Sequence, residues 1–356
     1  MVRRKQYIDT DVYTEAKKRT HHIFETFDSV VVCFSGGKDS LAVLHLCKEV
    51  MEERGITKQL NVIFRDEEVI PMSVIDLVDH YRQQPWIKMI WFAVPLRSQK
   101  HVLGVNTEYI QWDPKRRWVR PKPEWAHVLP EGDNRVFDQY SMDEYTAAFY
   151  KGRIALLTGV RAAESIIRFR ACVNKLNENY ITMPPKMGPG HNPPKNVRLC
   201  KPIFDWQEDD IFRYFYEKGI TYSPLYDMQL MAKQGLRVST PLHAESAKQF
   251  HKIKAVDPVF YQQVVNIWPE MLVHERYYHE LDKEGMKRRY GGSLESVRAW
   301  IDEFIKDPSE HKKAILKFES VASRARKMPD SYPPSYILTQ FMNGAYKREI
   351  IPMGTR

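Results

Sequence analysis

Only four cysteines occur in the 356 residues, and no two of them stand as a CxxC or CxxxC pair. That spacing argues against a zinc ribbon or an iron–sulfur cluster held by neighbouring thiolates. Cys33 and Cys47 lie among aliphatic residues, where a free thiol serves as a small buried hydrophobe. Long apolar runs are missing too, none approaching the roughly 18–20 residues of a membrane span. The N-terminus, MVRRKQYIDTDVYTEAKKRTHH, has neither an apolar core nor a small-residue cleavage site, so no signal peptide is expected. Internal repeats and low-complexity tracts are also lacking. These absences predict a soluble cytoplasmic chain without membrane contacts.

What is present is enough apolar content, 43% of a 42.0 kDa chain, for one large core and a second, smaller unit. The formal charge of +9 and a pI near 9.1 favour an anionic partner: a nucleotide, a nucleic acid or phosphate. Basic residues cluster at Lys115, Arg116, Arg117, Arg120 and Lys122, and again at Lys287, Arg288 and Arg289. Clusters of that size also occur on ordinary solvated surfaces.

The apolar pattern predicts a helix over 11–26, a strand at 29–34, a helix at 39–54 and a strand at 60–68. A helix at 72–84 and a strand at 86–95 follow. This alternation with short connections predicts a doubly wound, mostly parallel α/β sheet covered by helices on both faces. Residues 99–135, rich in proline, tryptophan and charge, break the alternation and read as an inserted lid. A helix at 141–153 and a strand at 154–161 resume it, and 183–197 is a loop by composition. A helix spans 204–219; beyond 225 the chain reads helical and basic, with a break near 283–293. The expected domains are 1–225, α/β, and 226–356, mainly helical.

Between the first strand and its helix stands SGGKDS, Ser35 to Ser40. A glycine turn there lets backbone N–H groups approach oxygens closely, and the helix N-terminus adds positive potential. The spacing fits neither GxxxxGK[ST] nor GxGxxG. SGGKDS matches at every fixed position the SGGxDS signature of the pyrophosphate loop (PP-loop) of adenine-nucleotide α-hydrolases. That resemblance implies that Ser35, Gly36, Gly37 and Ser40 donate to the β- and γ-phosphates, while the Lys38 charge stabilises the leaving pyrophosphate. An aspartate beside phosphates calls for a cation, so Asp39 is the expected Mg²⁺ ligand. Asp66, at the end of the second strand, joins the expected nucleotide-binding set. The implied chemistry cleaves ATP between the α- and β-phosphates, and Lys38, Asp39 and Arg161 are the expected catalytic residues.

LLTGVRAAESIIRFRAC, Leu156 to Cys172, contains GxRxxES followed by an arginine. It resembles the phosphoadenosine phosphosulfate (PAPS) reductase family, as does KPIFDWQEDDIFRYFYEKGITYSPLYD, Lys201 to Asp227. The resemblance covers about 20–280 and implies that Gly159 permits close backbone approach. It also implies that Arg161 and Arg168 hold phosphate or sulfate oxygens and that Glu164 orients an arginine or a metal. The aromatics of the second segment read as core, with Lys201 and Tyr226 as candidates to line the site. WDPKRRWVRPKP, Trp112 to Pro123, looks like the bacterial and phage branch containing immunoglobulin-binding regulator A-like proteins, for which a ParB-like partner is implied. Arg117 and Arg120 in it are expected to help form an acceptor site with Arg161 and Arg168.

One departure from the family is informative. PAPS reductases carry a nucleophilic cysteine in a C-terminal ECG(I/L)H-type segment, whereas the last cysteine here is Cys200. Thiol-dependent sulfite production is therefore not expected. Cys172 and Cys200, even with His191, give too few ligands for an iron–sulfur cluster, and none is expected. The leading reading is an ATP-dependent enzyme that adenylates an acceptor or cleaves the α–β bond. The alternatives are a nucleotide-sensing regulator that binds DNA or a protein, and a component of nucleic-acid sulfur modification.

Overall fold

The run SVVVC is β-branched at its centre and so favours a pleated, buried strand. In the computed structural model it is β1 (Ser29–Cys33), its three valines buried. The structure describes residues 9–102, 105–165, 168–169, 172, 180–185, 193–232, 235–247, 250–274, 283–344 and 349–353. β1 is flanked on one side by β2 (Leu60–Arg65) and β3 (Ile87–Phe92). A two-stranded hairpin, β4 (Leu96–Val102) with β5 (Val105–Gln111), stands outside this sheet. On the other side of β1 lie β6 (Ile154–Leu157), β8 (Val197–Cys200) and the edge strand β7 (Ile181–Thr182), giving the order β3-β2-β1-β6-β8-β7. All pairings in the six-stranded sheet are parallel except β7 with β8.

Val31 of β1 is opposite Asn61 of β2 on one side and Leu156 of β6 on the other. The chain steps outward from β1 to β3, then returns to β6 across β1, so the strand order reverses there. Open α/β sheets bind ligands at such a reversal, outside the carboxyl ends of the strands. Helices α1 (Val12–Thr26), α2 (Lys38–Glu53), α3 (Met72–Arg82), α4 (Gln139–Ala147) and α5 (Glu208–Lys218) complete the sheet layers. One hydrophobic cluster joins Val32, Leu41, Leu44, Val74 and Val78, tying α2 and α3 to the sheet. Gly219, at φ +62°, ends α5 in a left-handed turn where a side chain would be strained.

The chain divides into two compact units, Met1–Met271 and Leu272–Arg356, so the division falls later than the expected 225/226. The reason lies in packing: Leu242, Phe250, Phe260 and Val264, from beyond 225, share an apolar cluster with Val69, Tyr109 and Val119. The helices α6 (Leu225–Met231), α7 (Ala244–Ala247), α8 (Phe250–Val256) and α9 (Pro258–Ile267) therefore belong to the first unit. The second unit contains α10 (Lys283–Tyr290), α11 (Leu294–Phe304), α12 (Pro308–Lys327) and α13 (Pro334–Met342) around Val297, Ile301, Val321 and Leu338. Most of the expected break near 283–293 is helix α10; the turn is confined to Gly291 and Gly292 and ends at Ser293, which caps α11. The inserted segment begins earlier than 99, with β4, because Leu96 to Val102 pairs with Val105 to Gln111. Among the described residues no helix is long and apolar enough to cross a membrane.

Candidate nucleotide site

SGGKDS forms the turn from β1 into α2, with Gly37 as the residue before the first helical turn. Gly36 adopts φ +73°, and a Cβ there would stand 2.6 Å from Val74 Cγ1, so both conformation and space require glycine. The turn closes on itself: the Ser35 N–H donates to Ser40 Oγ at 3.1 Å, and Ser40 Oγ donates to the Gly37 carbonyl at 3.0 Å. Gly159 follows β6, and a Cβ on it would stand 2.5 Å from the Asp39 carbonyl carbon and 2.6 Å from the Ser40 nitrogen. The close approach foreseen at Gly159 is thus to the backbone of the turn itself, which locks β6 against the start of α2.

Lys38, Asp39 and Arg161 converge here. Arg161 Nε donates to Asp39 Oδ1, and its backbone N–H donates to Glu164 Oε2 at 3.0 Å. Glu164 also accepts from the Arg168 guanidinium, so it orients both arginines. Lys38 is buried, and its ammonium lies 3.3 Å from Asp39 Oδ2, 3.0 Å from Glu208 Oε1 and 3.1 Å from the Leu236 carbonyl. Glu208 reads in the sequence only as an acidic first-turn residue suited to a helix N-terminus. Its partnership with Lys38 arises because α5 packs against α2, with Ile211, Tyr214 and Phe215 in the same apolar cluster as Leu44 and Cys47. Two cations and two carboxylates therefore compensate one another at the turn.

Asp39, the expected Mg²⁺ ligand, has a cation on each oxygen: Arg161 on Oδ1 and Lys38 on Oδ2. Magnesium beside a nucleotide is ordinarily held by one or two carboxylates together with phosphate oxygens and waters, so a single carboxylate at this turn is the donor such an ion would take once a cation gives way.

Asp66, expected beside the nucleotide, is turned into the protein. It accepts from Trp91 Nε1 at 2.9 Å, the Glu68 N–H at 2.9 Å and the Arg120 guanidinium. Burial raises its pKa against the pull of Arg120. Glu68, fully buried at φ +64°, accepts from the N–H groups of Trp112 and Val119 and from both terminal nitrogens of Arg116. Arg120 is therefore a buried pin and does not present its guanidinium to an acceptor, and Trp112 is fully buried with Nε1 on the Asp66 carbonyl. Arg117 is exposed. Glu67, between these two carboxylates, has a pKa pushed up to about 7 by burial and by Asp66.

Lys201 is likewise turned away, donating to Thr182 Oγ1 at 2.7 Å, and burial lowers its pKa. Burial raises the thiol of Cys172 and pushes that of Cys200 up to about 12, which disfavours the reactive thiolate at both. His191 lies outside the described residues. A cavity of about 250 Å³ opens beside the 235–239 segment, lined by Gln229, Arg237, Ser239, Asp257 and Phe260.

The family model described as the phosphoadenosine phosphosulfate reductase domain matches residues 29–233. A protein of Escherichia coli (strain K12) carrying the name uncharacterized protein YbdN is 27% identical over 262 residues. That alignment spans 70% of this chain and 63% of the length of its curated relative. Among solved structures, Candida glabrata FMN adenylyltransferase in complex with FAD and inorganic pyrophosphate is similar at a TM-score of 0.40 and 11% identity, over 63% of each chain. The phosphate complex of PAPS reductase from Candida auris is similar at 0.34 and 17% identity, over 64% of this chain and 90% of that one. Such low scores carry no weight for the chemistry.

Proposed function

The chain belongs to the phosphoadenosine phosphosulfate reductase domain family, and we propose that it binds ATP or a related adenylyl nucleotide on SGGKDS and cleaves the α–β bond to adenylate an acceptor. The observation that carries this reading is the convergence of Lys38, Asp39 and Arg161 at the N-terminus of α2, where the strand order of the sheet reverses. The helix start and the turn's backbone favour an anion, and Lys38 lies within the same turn. In the proposed step an acceptor oxygen attacks the α-phosphorus and the α–β phosphoanhydride P–O bond breaks. Its electron pair leaves with pyrophosphate, whose charge Lys38 stabilises. Arg161 would shift from Asp39 toward the α-phosphate and steady the charge developing there.

The buried, raised thiols of Cys172 and Cys200 support a mechanism that uses no thiol nucleophile. The test is to incubate the protein with α-labelled ATP, divalent cation and candidate acceptors, and to follow AMP, adenylated acceptor and pyrophosphate. Lys38→Ala should abolish the products, and the Cys172→Ser, Cys200→Ser double variant should retain them. Loss of product in the folded double variant would reject this mechanism and favour sulfur chemistry.

A further inference from the structure

We propose that Tyr226 is a phosphate-positioning residue: its phenol receives the Lys38 backbone N–H and hands its own hydrogen to a phosphate oxygen on the SGGKDS turn. This rests on the reading of that turn as a nucleotide site. The Lys38 N–H, in the first turn of α2, is a donor that an anion at a helix N-terminus ordinarily meets. Here the Tyr226 hydroxyl covers it at 2.7 Å. An anion arriving at this point meets an O–H in place of the N–H.

Three features fix the phenol there. The ring is buried and packs edge-on against Phe212 and Tyr222, with centroids 6.2 Å away in each case. The Lys38 ammonium lies 5.4 Å from the ring centroid, so one tyrosine orients both the backbone and the side chain of that lysine. A Cβ at Gly37 would lie 3.4 Å from the Tyr226 oxygen, an ordinary contact distance, which places the phenol directly against the second glycine of SGGKDS.

The hydroxyl keeps its hydrogen. Burial, with Asp39 and Glu208 nearby, moves its pKa far above the ordinary tyrosine value. Among the described residues its one hydrogen bond is the one it accepts from Lys38, and no acceptor takes its own hydrogen. Phenylalanine would fill the same space without burying a polar group. A desolvated hydroxyl with an unused donor is costly unless a second partner completes it. A phosphate oxygen, which only accepts, is such a partner, whereas an adenosine moiety bound away from the turn is not.

The test compares wild-type protein with Tyr226→Phe by calorimetry using ATP, inorganic pyrophosphate and adenosine, with thermal melts of both. Weakening by about tenfold or more for ATP and pyrophosphate, with adenosine affinity and melting temperature preserved, is expected. Unchanged pyrophosphate affinity would reduce the phenol to packing, and increased affinity would show that it blocks the amide; either overturns the proposal. If the phenylalanine variant does not fold, a site-specific 3-fluorotyrosine at 226 keeps the ring and strengthens the donor. Tighter pyrophosphate binding is then expected, and no change would overturn the proposal. Wild-type protein that binds neither ATP nor pyrophosphate would reject the underlying nucleotide reading, whereas equal binding by both proteins would reject only the role of Tyr226.

Discussion

The SGGKDS turn and the WDPKRRWVR segment both place cations on carboxylates, yet the two arrangements differ in kind. In the insertion, Arg116 and Arg120 meet Glu68 and Asp66, whose side chains are 0% exposed. Those carboxylates also accept backbone and indole N–H groups, so the cations complete buried networks that cannot open without leaving charges unpaired. At the turn, Lys38 meets Glu208, whose side chain is 46% exposed, and the partners around it include a carbonyl. An incoming phosphate can replace a partner already in contact with solvent far more readily than one sealed in the core. Arginines with tryptophans between them are thus pins in one place, while a lysine and an arginine beside a glycine turn remain available to a ligand.

The sharpest way to break this comparison is at Glu68. Glu68→Ala leaves Arg116 unpaired and deprives the Trp112 and Val119 N–H groups of their acceptor. A loss of about 3–5 kcal/mol in urea unfolding is expected, as for other broken buried ion pairs. A loss below about 1 kcal/mol would mean that the segment is held by its tryptophans alone.

At the turn the expected effect moves from stability to binding. Lys38→Ala and Arg161→Ala should each weaken ATP by on the order of 1.5–3 kcal/mol in calorimetry, with smaller changes in unfolding free energy. Wild-type affinity in both variants would put the nucleotide elsewhere. Gly159→Ala should act on both properties, since its new methyl cannot avoid the Asp39 and Ser40 backbone. About 1–3 kcal/mol of destabilisation is expected, together with weakened ATP binding as the turn shifts.

A pH series extends the comparison to an uncharged pair in the same unit. His45 bonds Tyr81 at 2.7 Å, and burial lowers its pKa to about 4. Below about pH 6.5 the unfolded chain takes up a proton that the folded imidazole refuses, so stability is lost as pH falls through that value toward 4. The loss should be on the order of 2 kcal/mol and should shrink in His45→Gln. A variant with an unchanged pH profile would assign the acid sensitivity to other groups. The smallest effect is expected at exposed Arg117, where Arg117→Ala should leave stability within about 0.5 kcal/mol. It is the direct test of whether this arginine serves an acceptor: an altered acceptor dependence of ATP cleavage, with stability unchanged, would support that role.

Local patterns determined much of this protein. The β-branched run at Ser29–Cys33, the glycines of SGGKDS and the apolar periodicity of α2 specify a strand, a turn and a helix, because pleat, left-handed backbone and helical period are short-range properties. Alternation of such units was enough for the parallel sheet, and with it the placement of SGGKDS at a strand end. Short β7 and β8 were not legible, since neither carries a continuous apolar run like IALL of β6; β8 pairs along the edge of β6, and β7 along β8. Nor was the fate of each charge legible in the sequence. Arg120 and Arg161 look equivalent there, but one seals Asp66 inside the insertion and the other lies on Asp39 at the turn. Glu208 and Tyr226 reach Lys38 from 170 and 188 residues along the chain. Only the tertiary structure decided those contacts, because a charge takes whichever partner packing brings within a few ångströms, and sequence spacing does not encode that distance.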